Sequence, residues 1–136
     1  MKNRTLAEDY IIRASKRLSA VDALFVEAAW ADVVRESQEV VDLALKGLLR
    51  QCRIEAPRVH DVSDALLAQK ELLPPKILTA LDEIVDISRR LRRDRELAFY
   101  GSEDLTPTLF YKQPDAEKAR AEARRVVELV TGGLTK

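Results

Sequence analysis

Apolar residues recur every three to four positions along almost the whole chain, and residues able to interrupt a helix fall at only a few places. That period is the mark of amphipathic helices. With four glycines and five prolines among 136 residues, the chain reads as one almost wholly helical domain over 1–136. Thr5-Leu6-Ala7-Glu8 has the form of a capping box, and Leu6, Tyr10, Ala14, Leu18, Val21 and Phe25 carry a first helix to about Glu27. A second starts near Trp30 and buries Trp30, Val33, Val34, Val41, Ala44, Leu45 and Leu48. It fades around Cys52, before the break at Ala56-Pro57. Asp61 is placed to cap a short helix from about Val62 to Gln69. Pro74-Pro75 suits the first turn of a further long helix, where proline loses no needed donor. Ile77, Leu78, Leu81, Ile84, Val85, Ser88 and Leu91 form its apolar face, and Gly101 its end. Residues 101–113 read as an irregular loop, a kind of segment that tends to be functional or mobile. A last helix runs from about Pro114 to Val130 on a narrow stripe of Ala116, Ala119, Ala123, Val126 and Val130, ended by Gly132-Gly133. The sum is an all-α fold, an antiparallel, up-and-down four-helix bundle plus one short helix.

A chain of 136 residues can bury about two-thirds of its unfolded surface in one core. Lys plus Arg equals Asp plus Glu, at 23 each. That balance excludes a protein that coats nucleic acid without specificity, which would be basic overall, so any phosphate contact must be local. Cys52 is the only cysteine, which rules out an intrachain disulfide and makes a reducing, cytoplasmic setting the expected one. No apolar run approaches the roughly 18 residues of a membrane span, and the N-terminus lacks the apolar core of a signal peptide. No membrane contact is therefore expected. One histidine and one cysteine without ligand spacing make a dedicated metal site unexpected, and no cofactor is implied.

Local positive charge is concentrated in Ser88-Arg89-Arg90-Leu91-Arg92-Arg93-Asp94-Arg95-Glu96-Leu97-Ala98-Phe99-Tyr100-Gly101, with five arginines within seven residues. Arg89, Arg92, Arg93, Arg95 and Tyr100 are the candidates for binding a nucleotide or RNA. Part of this charge has an ordinary explanation. Cations favour the negative end of a helix, and Arg89 and Arg90 lie three and four residues after Asp86. Arg95 stands apart, because Leu81, Ser88 and Arg95 are successive sevens on one line, flanked by Ile77, Ile84 and Leu91. A guanidinium aimed along an apolar stripe must find an acceptor, a partner chain or a ligand. Its planar fork can hold a phosphate with two hydrogen bonds. If the helix persists to residue 100, Arg89, Arg93, Glu96 and Tyr100 share a second stripe. Asp94 and Glu96 read as local charge balance, with orientation of the arginines or proton transfer as the alternative. His60 reads as a structural hydrogen-bonding residue, Ser37 as a site of close helix packing or a back-bonded hydroxyl, Cys52 as a buried or half-buried thiol, and Trp30 as a core anchor.

Two patterns together resemble the HEPN family, the higher-eukaryote and prokaryote nucleotide-binding domain. The first is Val40-Val41-Asp42-Leu43-Ala44-Leu45-Lys46-Gly47-Leu48-Leu49, followed by Pro57-Arg58-Val59-His60-Asp61-Val62 and Leu66-Leu67. HEPN proteins similarly run an Ala-rich helix through a lysine to a leucine pair, then turn through a proline and a His-Asp step into a short helix. The second is Arg95-Glu96-Leu97-Ala98-Phe99-Tyr100-Gly101, where HEPN domains carry an Arg-x4-6-His signature. The resemblance covers roughly residues 5 to 131 and departs at Tyr100, where the ribonuclease members have histidine.

In those members the resemblance implies metal-independent RNA cleavage by Arg and His, often paired across two protomers. A histidine near pKa 6.5 exchanges protons at neutral pH, whereas an unperturbed tyrosine near 10 is a poor general base. Tyr100 retains the capacity to bond a phosphate or stack on a base. The resemblance thus implies a nucleotide- or RNA-binding module with a degenerate Arg-x4-Tyr motif. It also implies a homodimer and a minimal nucleotidyltransferase partner, as in toxin–antitoxin pairs. An alternative is a metal-independent ribonuclease toxin in which Arg95 and Tyr100 are catalytic. A third reading is a helical scaffold without a ligand, in which Arg95 pairs internally with a carboxylate such as Asp42 or Glu39.

Overall fold

The computed structural model describes residues 2–55 and 61–134, and all of its regular elements are helical. They are α1 (Lys2–Val26), α2 (Trp30–Gln51), α3 (Val62–Ala68), a 3₁₀ turn (Lys70–Leu72), α4 (Pro75–Thr79), α5 (Leu81–Tyr100), α6 (Pro107–Phe110) and α7 (Gln113–Leu134). The long helices α1, α2, α5 and α7 form the bundle, with α2 packed against the other three. Their direction follows from cross-helix contacts. Arg17 of α1 meets Glu36 of α2, Arg95 of α5 meets Glu39 of α2, and Arg125 of α7 meets Glu83 of α5. Each successive long helix therefore reverses, giving the up-and-down arrangement.

Central placement explains why α2 is apolar on more than one face. Val33, Val34, Val40, Val41, Ala44, Leu45, Leu48 and Leu49 are all buried. The small-residue stripe of α7 is buried throughout at Ala116, Ala119, Ala123, Val126 and Val130. Gly47 marks the closest approach of α1 to α2. A β-carbon there would lie 2.7 Å from Ile11 Cγ1 and 3.1 Å from the Ala7 carbonyl oxygen.

Helices α1 and α2 both stop without glycine. Ala28 and Arg53 take positive φ of 59° and 61°. The following amides, Ala29 N and Ile54 N, bond back to Leu24 O and Leu49 O at 3.0 and 2.8 Å. These are Schellman closures with the left-handed position held by ordinary residues. Asp61 caps α3 as its sequence predicts, its carboxylate accepting from Ser63 N at 3.0 Å.

Four expectations are corrected. The first helix begins at Lys2 rather than at a Thr5 cap. The helix opened by Pro75 is two helices, because Ala80 N turns back to Ile77 O and the Thr79 hydroxyl donates to Pro75 O at 3.0 Å. Such back-bonding bends helices. The break shifts the phase, so Ile77 is buried whereas Leu78 is exposed. Residues 101–113, expected to be irregular, contain a tight Ser102–Leu105 bridge and the single turn α6. Finally, Gly132-Gly133 does not end α7. The helix runs through both, and a β-carbon at Gly133 would collide with the Ile77 side chain docked on it from α4.

Candidate functional site

The arginine-rich half of α5 lies along the bundle edge and is held there by ion pairs to three other helices. Arg89 donates to Ser63 Oγ and Asp64 Oδ1 of α3 at 3.1 and 3.0 Å. Arg90 bonds Asp86 on its own helix and both carboxylate oxygens of Glu122 on α7. These partners raise the Arg90 pKa further above its already high value and keep it permanently charged. Arg89 and Arg90 are therefore engaged in holding the bundle together. Ser88 is buried within the chain itself, so it needs no second protomer to cover it.

Arg95 has found its acceptor. Its Nε and Nη2 both donate to Glu39 Oε1, at 3.1 and 2.8 Å. The pair is open to solvent, with Arg95 47% and Glu39 30% exposed. The apolar line through Leu81 and Ser88 thus reaches the bundle edge at Arg95 rather than passing inside. One turn before Glu39 on α2, the Arg35 guanidinium lies over the Phe99 ring at 4.4 Å, and Phe99 is one turn after Arg95. Two residues four apart on α2 clasp two residues four apart on α5. Arg35 also reaches Glu36, which Arg17 of α1 holds at 2.8 Å.

Arg92 and Arg93 are exposed and have no partner among the described residues. Because α5 continues to Tyr100, Arg92 shares a helix line with Phe99, and Arg93 with Tyr100. A separation of seven residues is about 10.5 Å along the axis. Phe99 and Tyr100 meet edge to face at 4.5 Å, and they remain 47% and 73% exposed. Arg95 and Tyr100, five residues apart, point about 140° away from each other, so they do not close on one atom. Glu96's side chain, and His60 with its expected structural hydrogen bond, lie outside the described residues.

Gly101 ends α5 at φ 73°, where a β-carbon would meet Leu105 O and Pro107 Cδ. Only glycine allows the chain to fold α6 back against α2 and α5 here. This turn leaves Leu109 and Phe110 70% and 51% exposed. Tyr111 is buried and donates its hydroxyl to Asp94 O at 3.4 Å. Burial, reinforced by Asp94 and Asp115, pushes its pKa up to about 12. Tyr111 is a strut, whereas Tyr100 is presented to solvent.

Cys52 is half-buried, and burial raises its pKa. Ser37 is fully buried with its hydroxyl unpartnered, which fits close packing and not back-bonding. Trp30 is a partly buried anchor whose ring meets Phe25 at 5.1 Å. Reading the sequence for single residues missed Arg35 and Phe99. Arg35-x3-Glu39 facing Arg95-x3-Phe99 was the available signal.

This constellation can bind anions and stack flat rings. Among the described residues no helix is long and apolar enough to cross a membrane, and no three His, Cys, Asp or Glu side chains are placed to hold a metal ion. No curated protein matches the chain. Two solved structures share its fold. The archaeal HEPN homologue ST0689 is 24% identical, covering 95% of this chain and 98% of that one, with a TM-score of 0.67. TT1696 from Thermus thermophilus is 20% identical, covering 94% and 98%, with a TM-score of 0.73. The model of the HEPN domain matches residues 7–133, which takes in all but the first turn or so of α1 and the last residue of α7 and includes the arginine-rich helix end, and the chain belongs to the HEPN family.

Proposed function

We propose that this protein is a cytoplasmic, nucleotide- or RNA-binding HEPN module that does not itself cleave RNA. In this reading it acts as a homodimer with a minimal nucleotidyltransferase in a toxin–antitoxin-type pair. The observation that carries the binding is the pair of exposed arginines Arg92 and Arg93, which have no partner among the described residues, in line with the exposed Phe99 and Tyr100. Arginines supply phosphate contacts and aromatic faces supply stacking, the combination that single-stranded nucleic acids use. Arg95 adds a third guanidinium once it leaves Glu39. Tyr100 acts as a contact surface rather than as a base.

The test is a metal-free incubation of the purified protein with mixed cellular RNA in EDTA, with Arg95→Ala in parallel. The expected result is a shifted RNA band and no new fragments from either protein. Fragments from the wild type alone would establish the ribonuclease alternative and make Tyr100 the next residue to replace.

A second reading, the ligand-free scaffold, is favoured by the Arg95–Glu39 pair, one of the two pairings it names. Thermal melts separate the two. An exposed pair of this kind contributes only about 0–1 kcal/mol, so Arg95→Ala should melt within a few degrees of Arg92→Ala. A large loss confined to Arg95→Ala, with RNA binding intact, would instead make the pair structural.

A further inference from the structure

Helices α1 and α5 finish at one end of the bundle, where α2 and α7 begin, because the long helices alternate in direction. Each presents the negative end of its dipole there, yet neither has a basic residue in its last turn. The residues that follow add like charge. Glu27 comes directly after α1, Glu103 and Asp104 come just beyond α5, and all three are exposed. None of these carboxylates has a partner among the described residues. The arginines nearest this end are committed elsewhere, Arg120 to Asp22 and Arg35 to Glu36 and the Phe99 ring. Lys112 is exposed here and pairs with none of the three. The same end carries apolar surface. Helix α6 packs there on α2 and α5 and leaves Leu109 and Phe110 exposed, as Val26 is on α1. Leu109 and Phe110 take no part in the hydrophobic core.

We propose that this end of the bundle is a docking surface for a basic, amphipathic segment of a partner protein. Val26, Leu109 and Phe110 receive its apolar residues, and Glu27, Glu103 and Asp104 receive its lysines or arginines. Charge complementarity selects this occupant. Cations on the partner supply what the last turns of α1 and α5 lack, and they meet both the helix ends and the carboxylates beyond them. A second copy docked by the same face would set like carboxylates against one another, since a two-fold interface uses one patch on both subunits. Nucleic acid is repelled by the same charges. The surface is therefore distinct from the Arg92–Arg93 face of α5, and the inference goes beyond the RNA-binding reading.

The experiment titrates the isotope-labelled full chain with a short helix-forming peptide of Leu, Ala and Lys, and with its counterpart carrying Glu for Lys. Amides of residues 26–32 and 101–110 should shift with the lysine peptide at low salt, less at high salt, and hardly at all with the glutamate peptide. Leu109→Ser with Phe110→Ser should weaken binding by about tenfold, through lost apolar burial. Glu103→Gln with Asp104→Asn should weaken it by about threefold, as expected for exposed charges. All four side chains are exposed, so both variants should fold, and their melting temperatures check this. If the serine variant melts early, the amide variant decides alone. Equal shifts with both peptides, shifts centred elsewhere, or wild-type affinity in the amide variant would overturn the proposal. So would a wild-type dimer, measured by sedimentation, that Leu109→Ser with Phe110→Ser dissociates, because a second copy would then cover this face.

Discussion

Replacing Arg92 and Arg93 together by alanine is expected to weaken binding of a short single-stranded RNA by about 10- to 100-fold at low salt. Each contact between a guanidinium and a phosphate is charge-assisted but solvent-exposed here, so about 1 kcal/mol apiece is reasonable. The more diagnostic readout is the salt dependence. Each phosphate neutralised on a single strand contributes about −0.7 to the slope of log K against log salt, so the double variant should flatten it by about 1.4. Stability should hardly change, because both side chains are exposed and hold no partner among the described residues. Arg90→Ala is the informative control. It removes the same kind of charge, but from a side chain committed to Glu122 and Asp86, so it should cost stability and leave the slope nearly unchanged. Equal RNA affinity and slope in wild type and double variant would remove the binding role from this helix end.

Gly47→Leu is expected to destabilise the fold by about 3 kcal/mol or more, lowering the melting temperature by roughly 10 °C. Glycine inside a helix ordinarily costs about 1 kcal/mol relative to alanine. That saving is outweighed here, because the first added carbon already meets Ile11 Cγ1 at 2.7 Å and Tyr10 Cβ at 3.2 Å. Relief requires α1 to move away from α2 along the bundle's most extensive contact. Gly132 provides the opposite case, since nothing lies within 4 Å of its would-be β-carbon. Gly132→Ala should stabilise by up to about 1 kcal/mol. Opposite signs for two glycines in long helices, read by thermal or denaturant melts, would confirm that close packing and not helix propensity decides at Gly47. A neutral Gly47→Leu would show that α1 is not tightly docked.

Much of the architecture was legible because helix formation is a local matter. Periodicity and punctuation placed α2 within a residue of its observed limits, the Asp61 cap on α3 and the Gly101 stop of α5. The buried stripe of α7 was readable for the same reason. The candidate site was proposed at a helix end from the density of arginines and the odd phase of Arg95. Which guanidinium was engaged, and by which helix, was not.

By itself, then, the sequence determined where the helices lie and which faces are apolar, since those depend on residues within a turn or two of one another. It also determined that positive charge gathers before Tyr100. Only the tertiary structure decided that Ile77 docks on Gly133, where one expected helix is split into two and α7 continues past its glycines. It alone chose Glu39 over Asp42 for Arg95, sent Arg89 to α3, and set Arg35 over Phe99. Those choices depend on which turns of different helices come level. Tilt and register set that level, and they emerge from packing the whole core rather than from any one segment.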